Sequence, residues 1–391
     1  MGGLFRRLVL LGIINLIVTV VHNVVAEDDE LVAVALIFRH GDRTPRVSFP
    51  KDKYFNITYF PEGLGQLINS GKLRSYQLGT YIRQRYNTFI SQKYKPQEIY
   101  VISSDRDRSL MSAEAMLAAL YPPVPEDRFL GNLLWQPIPV HSVQDKYDNF
   151  IRMTAKCPKF DKLLEEANRE FDKLKEKYPD VFRTIYENTG WDVVDIGHMK
   201  DLYTTMYVYR TSFPSYVPDW YKSLDEEIMT YLGGASFAMP TYRRDLQRLM
   251  AGPLFNYMMN HLNDAVEGKK PKFLVISGHD TTIAPALNTL GCFDYEPPEF
   301  SSAAFWEVYR SKDGKHYMKI LYKKNSDSPA ELIQKDGCVS ILPLETFRAN
   351  IAPVQLSDED WCQECVSAGS KNLGSIFLLI SCIVSVFSRY I

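Results

Sequence analysis

The chain has 391 residues and a formal net charge of −2, with 46% hydrophobic and 24% charged residues. These proportions exclude a disordered or fibrous chain, and 45 basic against 47 acidic residues exclude nucleic-acid binding by bulk charge. Residues 1–26 have the layout of a secretory signal peptide. Arg6 and Arg7 precede an apolar run at 8–21, and Val24-Val25-Ala26 stands before Glu27-Asp28-Asp29-Glu30, the order of a basic head, a short apolar stretch and a small-residue cleavage site. Cleavage after Ala26 removes two arginines and no acids, which takes the formal charge to −4. A membrane anchor is the competing reading, and the shortness of the run speaks against it.

Residues 31–38 are apolar almost throughout and read as a buried strand. The run Arg39-His40-Gly41-Asp42-Arg43-Thr44-Pro45 follows without a break, so it forms a loop at the strand's C-terminal end, where ligands of open α/β sheets bind. Two guanidinium groups flank one imidazole here, a cluster whose repulsion and desolvation are costly unless an anion sits among them. Phosphate suits it. Guanidinium forks match pairs of phosphoryl oxygens, which makes Arg39 and Arg43 a candidate cradle. His40 lies between them as a candidate nucleophile acting through a ring nitrogen, and Gly41 lets the backbone approach the ligand. The competing reading is a set of solvated cations paired with Asp42.

Asn56-Ile57-Thr58 is the single glycosylation sequon and falls in a polar loop. Residues 69–86 and 107–120 have helical character. Between them a strand at 98–103 runs into Ser104-Asp105-Arg106-Asp107-Arg108-Ser109, which places Arg108 near a helix start and facing the same crevice. Arg106 is expected to form a surface ion pair with Asp105 or Asp107.

From about 145 to 250 the strand signals fade. Phe160, Leu163, Leu164, Ala167, Phe171, Leu174 and Tyr178 recur at helical spacing, an apolar stripe that stops at Pro179. This stretch reads as a helical insertion capping the crevice. Tyr203, Tyr207 and Tyr209 are candidates for an aromatic leaving-group site, although core packing is the commoner role for each. A strand at 272–277 then runs into His279-Asp280-Thr281-Thr282. There His279 is suited to hydrogen-bond a transferring phosphoryl group and Asp280 to protonate the departing oxygen. Residues 300–324 read as a β-hairpin about Lys312-Asp313-Gly314, and His141, His198, His261 and His316 take structural roles by default.

Strands alternating with helices predict an α/β fold, a mainly parallel sheet flanked by helices. The expected plan is a catalytic domain made of 27–144 and 251–365, a cap inserted at 145–250, and a C-terminal segment from 366. Residues 373–387 are apolar but short of the ~20 residues a span needs. They follow Ser367-Ala368-Gly369-Ser370 and a brief spacer with Lys371 and Asn372, an ending that fits a glycosylphosphatidylinositol (GPI) attachment signal better than a permanent single span. Both readings, with the leader, place the protein in the secretory pathway, outside the cell, on its surface or in the lysosome. Five cysteines (Cys157, Cys292, Cys338, Cys362, Cys365) fall in the folded region and Cys382 in the tail. The simplest account is two disulfides and one free thiol. The spacing Cys362-Gln363-Glu364-Cys365 also suits a redox or zinc site, which a single pair without a second ligand pair does not support.

With these segments in view, the chain resembles the histidine acid phosphatase family, the branch of the histidine phosphatase superfamily that includes prostatic, lysosomal and insect venom acid phosphatases. The resemblance covers most of residues 31–365. It rests on Arg39 through Pro45, on Leu64-Gly65-Gln66-Leu67, Gly71-Lys72 and Leu78-Gly79, on Ser104-Asp105 with Asp107-Arg108, and on His279-Asp280-Thr281-Thr282. It implies a phosphoglycerate mutase-like fold with a smaller α-helical cap. It further implies His40 as the nucleophile forming a phosphohistidine, Asp280 as the proton donor, and Arg39, Arg43, Arg108 and His279 as ligands of the phosphoryl group. No metal or other cofactor is implied, since cationic side chains supply the charge that Mg²⁺ supplies in kinases.

The resemblance also implies a disulfide between Cys157 and Cys365, leaves Cys338 to pair with Cys292 or Cys362, and suggests a homodimer to which the 300–324 hairpin contributes. The expected substrates are phosphate monoesters, small molecules or phosphoproteins, cleaved at acid pH because Asp280 must be protonated to act as an acid. A phytase or inositol polyphosphate phosphatase is the alternative within the same chemistry. A non-catalytic secreted phospholigand-binding protein of the venom type is the alternative outside it, disfavoured by the presence of both His40 and Asp280. The leader and the long insertion disfavour a mutase.

Overall fold

The computed structural model describes residues 29–366. The expected leader and its cleavage site, the C-terminal apolar segment and Cys382 lie outside the described residues. Eight strands form one sheet: β1 (Glu30–Arg39), β2 (Ile99–Ser104), β3 (His141–Val143), β4 (Phe273–Gly278), β5 (Ala303–Arg310), β6 (His316–Lys323), β7 (Glu331–Leu332) and β8 (Ile341–Pro343). Their spatial order is β3-β2-β4-β1-β5-β6-β7, with β8 also pairing β6. The strands β3, β2, β4 and β1 are mutually parallel, and β5 to β8 extend the sheet antiparallel.

The unbroken apolar character of β1 follows from its central place, because both of its faces are covered. Ala33, Ala35 and Ile37 enter one core with Leu274 and Ile276 of β4, and the helices Gly252–Val266, Asp280–Thr289 and Leu344–Ile351 close that side. Val34, Leu36 and Phe38 enter the other with Phe273 and Val275, under the helices Asn69–Arg85 and Asp107–Leu120. Register then decides where chemistry can occur. Arg39 lies opposite Gly278 and Ser103 opposite Ser277, so β1, β4 and β2 end level and their loops open at one edge of the sheet.

Residues 144–272 contain helices and turns and no strand. The apolar stripe does not form one helix. It divides into Pro158–Phe171 and Lys173–Lys177, and the chain turns helical again from Pro179 to Thr189. Proline stops a helix it follows but suits the first position of the next, where its missing N–H is not needed. The stripe packs, with Ala167 fully buried, against Phe182, Ile185, Met199, Leu202 and Met229.

Disulfides join Cys157 to Cys365, across 208 residues, and Cys292 to Cys338. Cys362 is disulfide-bonded as well, and no free cysteine occurs among the described residues. The expected free thiol is therefore corrected: none occurs among the described residues. Because Cys365 bonds to Cys157, the Cys362 and Cys365 pair is neither a local redox couple nor a zinc site. No helix among the described residues is long and apolar enough to cross a membrane.

Candidate active site

The loop after β1 is held from three sides. His40 donates its backbone N–H to Gly278 O of β4 (3.1 Å), and Ser301 donates to His40 O (3.3 Å). Gly41 donates its N–H to Ser112 Oγ on helix Asp107–Leu120 (3.0 Å). A Cβ at Gly41 would lie 2.1 Å from the Gly71 carbonyl oxygen, so only glycine allows helix Asn69–Arg85 to approach this closely. Asp42 is buried and pairs with Arg74 of that helix at 2.9 Å, leaving Arg39 and Arg43 to other partners.

Within that frame His40 Nδ1 lies 2.8 Å from Gly41 O. A carbonyl oxygen only accepts, so Nδ1 carries the proton and Nε2 keeps its lone pair. Burial, reinforced by Arg108, His279, Arg39 and Arg43, pushes His40 well below the usual histidine range and keeps the ring neutral. His279 caps the start of helix Asp280–Thr289, with its ring 5.3 Å from that of His40 and Nε2 2.8 Å from Ser104 Oγ at the end of β2. Burial and then Arg108 and Arg152 lower its pKa in the same way.

Asp280 Oδ2 pairs with Arg39 Nη2 at 2.8 Å, and its Oδ1 accepts the Thr281 N–H at 2.8 Å. Burial, the largest single influence, pushes the carboxyl up, but Arg39, Arg43, the Thr281 N–H and Arg108 together outweigh it and hold it below the ordinary carboxylate value. Arg39 also donates to Pro298 O and stacks on Phe300, 4.1 Å from the ring centre. Arg108, in the first turn of its helix and 8% exposed, is pushed down to about 9 by burial and by Arg152 and Arg46. It stays cationic in acid. The Nε atoms of Arg39, Arg43 and Arg108 are buried without hydrogen-bond partners among the described residues.

A cavity of about 250 Å³ opens on this group, with His40, Arg43, Arg108, His279 and Asp280 on its wall. Arg39 adjoins this group through its ion pair with Asp280. Three segments far apart in sequence are thus brought to one chamber. Arg106 departs from expectation: it pairs with Asp145 rather than with its neighbours, because β3 pairs with β2 and delivers the turn Asp145–Tyr147 beside it. Tyr203, Tyr207 and Tyr209 take packing roles. Tyr203 joins the sheet core, Tyr209 donates to Asp52 Oδ2 (2.7 Å), and the Tyr207 ring lies 5.5 Å from the Arg39 guanidinium. Asn56 is exposed, and its Oδ1 accepts from both N–H (3.0 Å) and O–H (3.1 Å) of Thr58. The sequence reading missed Arg46, Arg152 and Lys200 on the cavity wall. Arg46, one residue past the run, was open to discovery by proximity; Arg152 and Lys200 carry no motif.

The profile of the histidine phosphatase superfamily (branch 2) matches residues 30–323. The chain belongs to that family. Among similar curated proteins, this histidine phosphatase is 32% identical to bovine (Bos taurus) prostatic acid phosphatase over 355 residues, covering 89% of this chain and 90% of the relative. It is 32% identical to bovine lysosomal acid phosphatase over 375 residues, covering 91% and 88%. Its fold is similar to that of a Hafnia alvei phytase solved with tartrate (TM-score 0.65, 15% identity, 85% of this chain and 98% of the other). A Citrobacter braakii phytase gives a TM-score of 0.63 at 18% identity, covering 86% and 99%.

Proposed function

We propose that this protein is an acid phosphatase that hydrolyses phosphate monoesters in two steps through a phosphohistidine on His40. The observation that carries the reading is the 2.8 Å contact of His40 Nδ1 with the Gly41 carbonyl in a cavity walled by arginines, which leaves Nε2 as an unprotonated nucleophile beside a phosphate cradle. In the first step Nε2 bonds to phosphorus, the phosphorus–oxygen bond to the leaving group breaks, and the Asp280 proton passes to the departing oxygen. Arg39, Arg43, Arg108 and His279 bind the three peripheral oxygens and the charge that builds on them. In the second step Asp280, now a carboxylate, takes a proton from water, whose oxygen bonds to phosphorus as the phosphorus–nitrogen bond breaks. Inorganic phosphate leaves and His40 returns to its neutral tautomer.

Two curated acid phosphatases that match across nine-tenths of the chain support monoester hydrolysis over the phytase alternative; the likeness to phytases, at 15–18% identity, speaks for the fold alone. The catalytic domain is 27–144 with 251–365, and 145–250 is a helical cap over the cavity. The protein enters the secretory pathway, carries glycan at Asn56, forms a homodimer and is held at a membrane through its C-terminal segment. Release of phosphatase activity from intact cells by a phosphatidylinositol-specific lipase tests the anchor, and light scattering of the purified protein tests the dimer.

The test of the chemistry is trapping. The enzyme is mixed with a phosphorus-labelled monoester at acid pH and quenched in alkali, where label is expected on the protein and absent in His40→Ala. Label that persists in that variant overturns the assignment. A panel of p-nitrophenyl phosphate against inositol hexakisphosphate decides between the acid phosphatase and the phytase alternative.

A further inference from the structure

Three cations on the cavity wall have no part in the two-step chemistry: Arg46, Arg152 and Lys200. Arg152 stands on a backbone built to hold it. The buried Asp148 carboxylate accepts the N–H groups of Phe150 (3.1 Å), Ile151 (2.8 Å) and Arg152 (3.0 Å), and the Asp148 carbonyl accepts from Thr154 (2.8 Å). Between them Met153 is held at φ 60°, a left-handed conformation that a non-glycine residue adopts only under constraint from its surroundings. The same loop is tied to the phosphoryl site. Ile151 O accepts the Thr282 hydroxyl, and Thr282 Oγ1 accepts the backbone N–H of His279 (3.0 Å).

These cations are only partly neutralised. Arg152 reaches Asp145 at 3.5 Å, but Asp145 is shared with Arg106. Arg46 and Lys200 form no ion pair among the described residues. Among the described residues Asp201 is the one carboxylate on the wall besides Asp280. Burial, and then the neighbouring Arg106 and Arg46, bring Arg152 down to about 10. Lining residues such as Phe160, Leu164 and Phe237 are apolar, so the cations stand against a wall that strengthens their pull on an anion.

We propose that Arg46, Arg152 and Lys200 form a second anion subsite, and that the preferred substrate is a phosphate monoester whose leaving group carries a further phosphate or carboxylate. This rests on the phosphatase reading above and narrows its substrate class. The phosphoryl group sits in the cradle of Arg39, Arg43, Arg108 and His279, while the distal anion meets the three outer cations. The bond from Thr282 to the carbonyl of Ile151, the residue before Arg152, keeps the two sites in fixed relation.

The test compares the monophosphate and the bisphosphate of one diol, over a series from propanediol to hexanediol, so that the leaving groups match in basicity. For at least one chain length kcat/KM is expected to favour the bisphosphate by about tenfold or more, the range of one charge-assisted contact, and so beyond the statistical advantage of two equivalent ends. Arg46→Gln, Arg152→Gln and Lys200→Gln are each expected to lower that ratio, and added salt to lower it further. A ratio at the statistical value for every diol, or one unchanged in all three variants, overturns the proposal. Should Arg152→Gln fail to fold, Arg46→Gln on the exposed rim and Lys200→Gln decide it. Absence of turnover on both members of each pair, with no label on His40, would instead overturn the phosphatase reading itself.

Discussion

The Gly41 carbonyl and the surrounding cations act on His40 in one direction: the first places the proton on Nδ1, and the second, with burial, keeps the ring from gaining another. Asp280 feels the same cations in the opposite sense, since they stabilise its charged form and work against its use as an acid. A bound phosphate dianion offsets that pull, so the Asp280 pKa in the complex lies above its value in the free enzyme. Both kcat and kcat/KM therefore fall as pH rises and Asp280 loses its proton. The fall in kcat, which reports the complex, is expected at higher pH than the fall in kcat/KM, once the substrate's own ionisation near about 6 is allowed for. Coincident limbs would refute this. The residues of the run were legible because each side chain's chemistry is its own. Which nitrogen of His40 holds the proton was not, since a carbonyl decides it by geometry.

At the scale of elements, the loop after β1 and helix Asn69–Arg85 pack backbone to backbone at two glycines, Gly41 and Gly71. A Cβ on Gly71 would lie 2.2 Å from the Asp42 carbonyl oxygen and 2.5 Å from its nitrogen, both backbone atoms that cannot rotate away. Gly71→Ala is expected to displace the loop that carries His40 and to lower kcat/KM by about 10²-fold, the cost of a shift near ~1 Å in a catalytic group. Retained circular dichroism with normal turnover would show that the loop yields instead. Thr282→Val removes the hydroxyl that joins His279 to Ile151. It is expected to cost about 1–3 kcal/mol in chemical denaturation, the penalty for unsatisfied buried groups. β1 and the helix starting at Asp107 were readable from periodicity and flanking residues. The break at Asp172 inside the apolar stripe was not, because a stripe records which residues face a core and not whether the backbone joining them is continuous.

For the whole molecule, Cys157–Cys365 fastens the helix Asp358–Val366 to the start of the helix Pro158–Phe171, beside Trp361 and Leu249. Replacing both cysteines by serine is expected to lower stability by about 2–4 kcal/mol by denaturant titration. Activity on p-nitrophenyl phosphate below the transition is expected to persist, because neither cysteine lines the cavity. Acid acts on the whole fold through the two site histidines. Their native pKa values lie below the unfolded value of about 6.5, so the unfolded chain takes up protons that the native chain refuses, and stability declines as pH falls through that value. Asp280, also depressed, adds to the loss lower down. The Tm of the free enzyme is expected to drop between pH 7 and 5, and inorganic phosphate at a hundredfold excess over its Kd to restore about 2.7 kcal/mol. A pH-independent Tm would contradict the first expectation, and no gain with phosphate the second.

The amino-acid sequence by itself determined the central strand, the run after it and the kind of ligand that run suits, because these depend on contiguous residues and on side-chain chemistry that no fold alters. The tertiary structure alone decided that Arg39 faces Asp280, that Asp42 faces Arg74, and that Arg152 and Lys200 reach the same cavity as Arg46. Those contacts join residues tens to hundreds of positions apart, and only the register of β1, β2 and β4, with helices packed across their ends, brings such residues within the few ångströms over which charges and hydrogen bonds act.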